Sequence, residues 1–98
     1  MHIALAPFTL KSGVTEETLL KASDDFEAAF VKEQEGVLRR ILVRDPKGGY
    51  ADIVFFDCEE TMERVVAAEQ DSEACAAFWS IMDDGEYSVF EVLKTYER

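Results

Sequence analysis

Hydrophobic residues recur along this chain with two different periods, and each change of period marks the end of an element. Ile3 to Lys11 is apolar at nearly every position and ends at Ser12-Gly13, which predicts a first strand. Thr15 is then placed to cap a helix, with Glu16 and Glu17 in the first turn, where the helix dipole favours acids. Leu19, Ala22, Phe26, Ala29 and Phe30 follow at helical spacing, with Lys21, Asp24, Asp25 and Lys32 on the other side. The pattern predicts an amphipathic helix of about four or five turns, stopped at Gly36.

In "VLRRILVRDPKGGYADIVFFD" two apolar, β-branched runs flank Asp45-Pro46-Lys47-Gly48-Gly49, which predicts a hairpin with a longer loop. Asp57 is expected to cap a second helix, with Glu60 at capping-box spacing and Met62, Val65 and Val66 as its apolar stripe. A new cap at Ser72 starts a shorter helix whose face is Ala74, Cys75, Phe78, Ile81 and Met82, ended by Asp83-Asp84-Gly85. Tyr87 to Tyr96 reads as the last strand. The order β-α-β-β-α-β predicts an α+β, ferredoxin-like fold: a four-stranded antiparallel sheet in one domain, with helices on one face.

A sheet covered on one side alternates apolar and polar residues, and this one mostly does not. Ile53 and Phe55 oppose Val54 and Phe56 in the third strand. Leu38 and Leu42 oppose Val37, Ile41 and Val43 in the second, and Phe90 and Val92 oppose Val89 and Leu93 in the last. The helices can cover one face only. A bare apolar face is an aggregation liability, so the pattern predicts a homodimer, a second copy packing sheet to sheet through a two-fold axis. Arg39, Asp52 and Glu91 interrupt the apolar rows and bring charge into that interior.

Charge and composition narrow the partners. The formal net charge of −11 argues against nucleic acid and against anionic membrane surfaces, which are bound through Lys and Arg. No apolar run reaches bilayer length, and "MHIALAPFTLK" lacks the basic start and apolar stretch of a secretion signal. Cys58 and Cys75 fit no metal-ligand or redox spacing, so a reduced, cytoplasmic protein without metal or cofactor is expected.

Three stretches resemble the dimeric α+β barrel superfamily, and within it the antibiotic-biosynthesis-monooxygenase-like proteins. They are "FTLKSGVTEETLLKASDDFEAAFVKEQEGVLRRILVRD", "GGYADIVFFDCEETMERVVAA" and "SEACAAFWSIMDD", which together span nearly the whole chain. The resemblance implies a dimeric barrel. It also implies a range of activities, from cofactor-independent oxygenases on aromatic polyketide or quinol substrates to haem-degrading enzymes and members of no known role, so the fold does not choose among them. The oxygenase and haem-degrading branches lean on Asn, Trp, Tyr and His, yet this chain has no asparagine. Its single histidine, His2, lies at a strand end rather than on a helix, and the last strand, where related members carry a histidine, has none.

Trp79 stands about 100° from Phe78 on a helical wheel, at the edge of the apolar stripe, where it closes the core or walls a pocket for an aromatic ligand. Two readings follow. In the first, the protein is a dimeric binder of a small aromatic or hydrophobic ligand, held between helices and sheet by Arg39, Trp79, Phe78, Phe26 and Tyr87. In the second it is a cofactor-independent monooxygenase, with Asp52 or Glu91 as a buried base, Arg39 holding the substrate anion and Trp79 stacking on it. With Asp52 or Glu91 as base, that second reading fails if both carboxylates prove solvent-exposed or saturated by arginine.

Overall fold

A computed structural model describes every residue from Met1 to Arg98. Along the chain run β1 (His2–Leu10), α1 (Glu16–Ala29), a 3₁₀ turn (Val31–Glu33), β2 (Val37–Arg44), β3 (Tyr50–Phe56), α2 (Glu59–Glu69), α3 (Glu73–Trp79), β4 (Met82–Asp84) and β5 (Ser88–Glu91). The Thr15 hydroxyl accepts from the Thr18 N–H at 3.2 Å and caps α1, and the Ser72 hydroxyl accepts from the Cys75 N–H at 3.1 Å and caps α3. α1 ends at Ala29 rather than at Gly36, because the 3₁₀ turn takes the next residues. Gly36 itself has φ +88°, and a Cβ there would stand 2.6 Å from Thr61, so only glycine lets the chain turn against α2. Cys58 rather than Asp57 occupies the N-cap of α2 and makes no side-chain capping bond.

The sheet has five antiparallel strands in the order β2-β3-β1-β4, with β5 also paired to β1. This is the ferredoxin-like α+β arrangement with its last strand broken in two. β4 pairs with Phe8 to Leu10 and β5 with His2 to Leu5, and neither a helix end at Asp83-Asp84 nor a strand to Tyr96 is present. The cause lies on β1. Pro7 has no N–H to continue the ladder, so its carbonyl accepts from the Gly85 N–H at 2.7 Å and the neighbouring strand bulges outward. Gly85, Glu86 and Tyr87 thus face only Ala6 and Pro7.

A second bulge, at Leu38, shifts the β2 register. Val37 therefore joins Leu42 on the helix side instead of Ile41 and Val43. The core lies between that side and the helices, with Ala4, Phe8 and Phe56 of the sheet against Leu19, Phe26, Val65, Cys75 and Phe78. Each fully buried large apolar side chain there contributes about 1.5–3 kcal/mol. The strand register places Ile3, Leu5, Ile41, Ile53, Phe55 and Phe90 together on the opposite face, which no helix covers. Phe90 is 52% exposed there.

Candidate functional site

On the helix-covered side the packing is incomplete. A cavity of about 330 Å³ opens between sheet and helices. Its floor is β1 and β3, where the small side chains Ala4 and Ala6 leave room beside Asp52 and Val54. Phe26 from α1 and Phe78 and Trp79 from α3 form one wall, and Val66 and Glu69 from α2 another. The bulge after β4 brings Gly85 and Tyr87 to the mouth. The Phe26 and Phe78 rings stack at 4.8 Å between centroids and 7° between planes, and Phe8 meets Phe78 edge-on at 6.5 Å.

Arg40 anchors this wall. Its side chain is only 8% exposed, and its guanidinium lies 5.0 Å from the Phe26 centroid and 5.3 Å from that of Phe78. Nε donates to Asp52 Oδ1 at 3.0 Å and Oδ2 at 3.2 Å, Nη2 donates to Ser23 Oγ at 3.0 Å, and Nη1 reaches Ser23 O and Glu27. Burial raises the Asp52 pKa, while the charge and hydrogen bonds of Arg40 oppose that rise. On the next wall Cys75 Sγ donates to Glu69 Oε2 at 3.3 Å. Burial also raises the Glu69 pKa, the thiol bond counteracts it, and the Asp52 charge adds to it. The Cys75 thiol is itself pushed well up, by burial first and by Glu69 second, so it stays protonated and serves as a donor. Burial and the nearby Glu69 charge raise the Tyr87 phenol as well.

Phe26, Phe78, Trp79, Tyr87 and Asp52 thus surround one space. Arg39 and Glu91 do not join them. Arg39 points to the opposite face, its guanidinium 5.8 Å from the Phe55 centroid, because the β2–β3 register sets Arg39 against Phe55 and Arg40 against Val54. Glu91 is exposed at the end of β5, paired with His2 beyond the cavity. Adjacent strand residues point to opposite faces, so one of Arg39 and Arg40 could be expected to meet Asp52 or Glu91, and Arg40 is the one that meets Asp52. Glu69 is the charged cavity-wall residue on α2 that sequence reasoning missed. Glu69 had left a trace: it continues the stripe of Met62, Val65 and Val66 at helical spacing, so it had to face the sheet.

The arrangement can hold a flat apolar molecule against aromatic walls and offer it a carboxylate acceptor. It does not fit haem. The sole imidazole, His2, has Nε2 4.0 Å from Glu59 and lies outside the cavity, and the charged lining residues Asp52, Glu69 and Asp84 oppose a porphyrin's propionates.

No protein-family model matches this chain, and no curated protein sequence does. Solved structures do match. SnoaB, a cofactor-independent oxygenase from Streptomyces nogalater, superposes with a TM-score of 0.78 at 17% identity, over 99% of this chain and 97% of its own. An antibiotic biosynthesis monooxygenase superposes with a TM-score of 0.72 at 14% identity, over 96% of this chain and 100% of its own. A variant of MhuD, with two manganese protoporphyrin IX molecules per active site, gives 0.72 at 15% identity over 100% of both chains. The chain thus has the ferredoxin-like α+β fold of the antibiotic-biosynthesis-monooxygenase-like structures.

Proposed function

We propose that this protein binds a small aromatic or hydrophobic molecule in the cavity between helices and sheet, as a homodimer whose bare sheet faces pack together. The observation that carries this reading is the cavity itself. It is a space of about 330 Å³ with Phe26, Phe78 and Trp79 as walls, two of them backed by the buried Arg40, and no side chain fills it. An apolar ligand there gains the burial that the core leaves unused. The dimer rests on the uncovered apolar face, with Ile53 and Phe55 at its centre. Native mass spectrometry of freshly purified protein tests both parts. A dimer carrying an adduct that leaves on denaturation supports them, and a clean monomer overturns the assembly.

One observation favours a second reading, cofactor-independent oxygenation of an aromatic polyketide or quinol-like substrate. Asp52 cannot serve as its base, because both oxygens accept from Arg40, and Glu91 lies outside the cavity. Glu69 takes that place, a half-buried carboxylate with raised proton affinity on the cavity wall. It would take a proton from an activated CH₂ group. The carbanion adds dioxygen, and loss of water from the resulting hydroperoxide leaves a ketone. Oxygen uptake with an anthrone, abolished by Glu69→Gln, tests it. Uptake unchanged in that variant overturns it.

A further inference from the structure

Every charged side chain that lines the cavity is acidic: Asp52, Glu69 and Asp84 reach it, and no lysine, arginine or histidine does. The two inner carboxylates are not equivalent. Asp52 is neutralised by Arg40, whose donors face Asp52, Ser23 and Glu27 and whose planar face lies against Phe26 and Phe78. Glu69 has no such partner. Its one hydrogen bond comes from the Cys75 thiol at 3.3 Å, and it belongs to none of the ion pairs of the molecule.

We infer that the cavity selects a cationic aromatic amine, its ring against Trp79 and Phe78 and its ammonium on Glu69. This rests on the ligand-binding reading of the cavity. A carboxylate withdrawn from water without a counter-charge is unfavourable, and burial already drives Glu69 toward its neutral form. An ammonium supplies both the charge and the hydrogen-bond donors that the protein withholds. Aromatic faces favour a cation further, through the negative potential above each ring. An anionic ligand meets the reverse, with Glu69 and Asp84 before it, the one buried arginine engaged by Asp52, and no free donor of positive charge.

Trp79 is the only tryptophan and stands on the cavity wall, so its fluorescence reports occupancy directly. Phenethylamine, phenethyl alcohol and hydrocinnamate present one ring with a cationic, a neutral and an anionic head group. At neutral pH the amine is expected to quench Trp79 with an affinity about tenfold above the alcohol, and hydrocinnamate is expected to bind weakest. Glu69→Gln should erase the advantage of the amine, bringing the ratio of amine to alcohol affinity to about one; the wild-type ranking needs no variant. Hydrocinnamate binding as tightly as the amine, or an amine preference that survives Glu69→Gln, overturns the inference. Equal binding of amine and alcohol overturns it too, while leaving the cavity reading standing. Binding by none of the three overturns both.

Discussion

Arg40 and Asp52 meet diagonally across β2 and β3 on the helix-covered face, Nε 3.0 Å from Oδ1, with only 8% and 13% of their side chains exposed. The pair puts one full positive charge under the aromatic wall and uses one carboxylate of the cavity to balance it. A buried pair of this kind contributes little net stability, but breaking it leaves a charge stranded. Arg40→Leu is expected to lower stability by about 3–5 kcal/mol, while Arg40→Leu with Asp52→Leu should recover most of the loss. Urea unfolding of the two variants checks this, and equal losses in both would show that the cost is one of packing.

Gly85 stands where a Cβ would lie 2.9 Å from the Pro7 carbonyl oxygen and 3.1 Å from its ring. Backbone cannot yield as a side-chain end can. Gly85→Ala should cost about 1–3 kcal/mol by overpacking and loosen the bulge that carries Tyr87 to the cavity mouth. Gly49→Ala, whose nearest contact would be 3.5 Å, is the control and should change little. Thermal melts of the two variants settle the contrast.

The raised proton affinity of Glu69 has a definite sign in stability. Folded protein holds that proton over a range where the unfolded chain, near the ordinary value of 4.5, has released it. Stability from this group is complete below that value and falls as pH rises through the folded pKa. Glu69→Gln lacks the titration, so it should gain on the wild type as pH rises from the ordinary carboxylate range, with the difference vanishing in acid. Paired unfolding curves across that range measure it, and a constant difference would count against a buried, titrating Glu69.

On the uncovered sheet face Phe55 pairs with Ile3, and Phe90 lies beside Ile3 on the other edge. Phe55→Glu places a carboxylate in the centre of the proposed interface and is expected to give monomers in sedimentation equilibrium with the helix content intact. A variant that sediments as a dimer would move the proposed interface elsewhere.

Local chemistry is legible in this sequence. Thr15 and Ser72 cap helices because a hydroxyl needs only the next few backbone N–H groups, and both caps form as the spacing predicts. The hairpin at Asp45 to Gly49 needs only its own turn residues, and Asp45 N–H bonds Gly49 O at 2.7 Å. The lack of apolar–polar alternation within the strands likewise reveals two apolar faces without any knowledge of neighbours.

Only the tertiary structure decided which face meets the helices and which side chain meets which. Arg39 and Arg40 are adjacent and alike in sequence, and they differ only because strand register sets one against Phe55 and the other beside Asp52. The edge of the sheet predicted as one strand from Tyr87 to Tyr96 is instead two short strands, Met82–Asp84 and Ser88–Glu91, parted opposite Pro7. Pro7 lies some eighty positions earlier in the chain, and its missing N–H matters only once the strands lie side by side. Local propensity acts through bonds to near neighbours, whereas register, burial and the cavity's charge depend on contacts between distant segments, which exist only after folding.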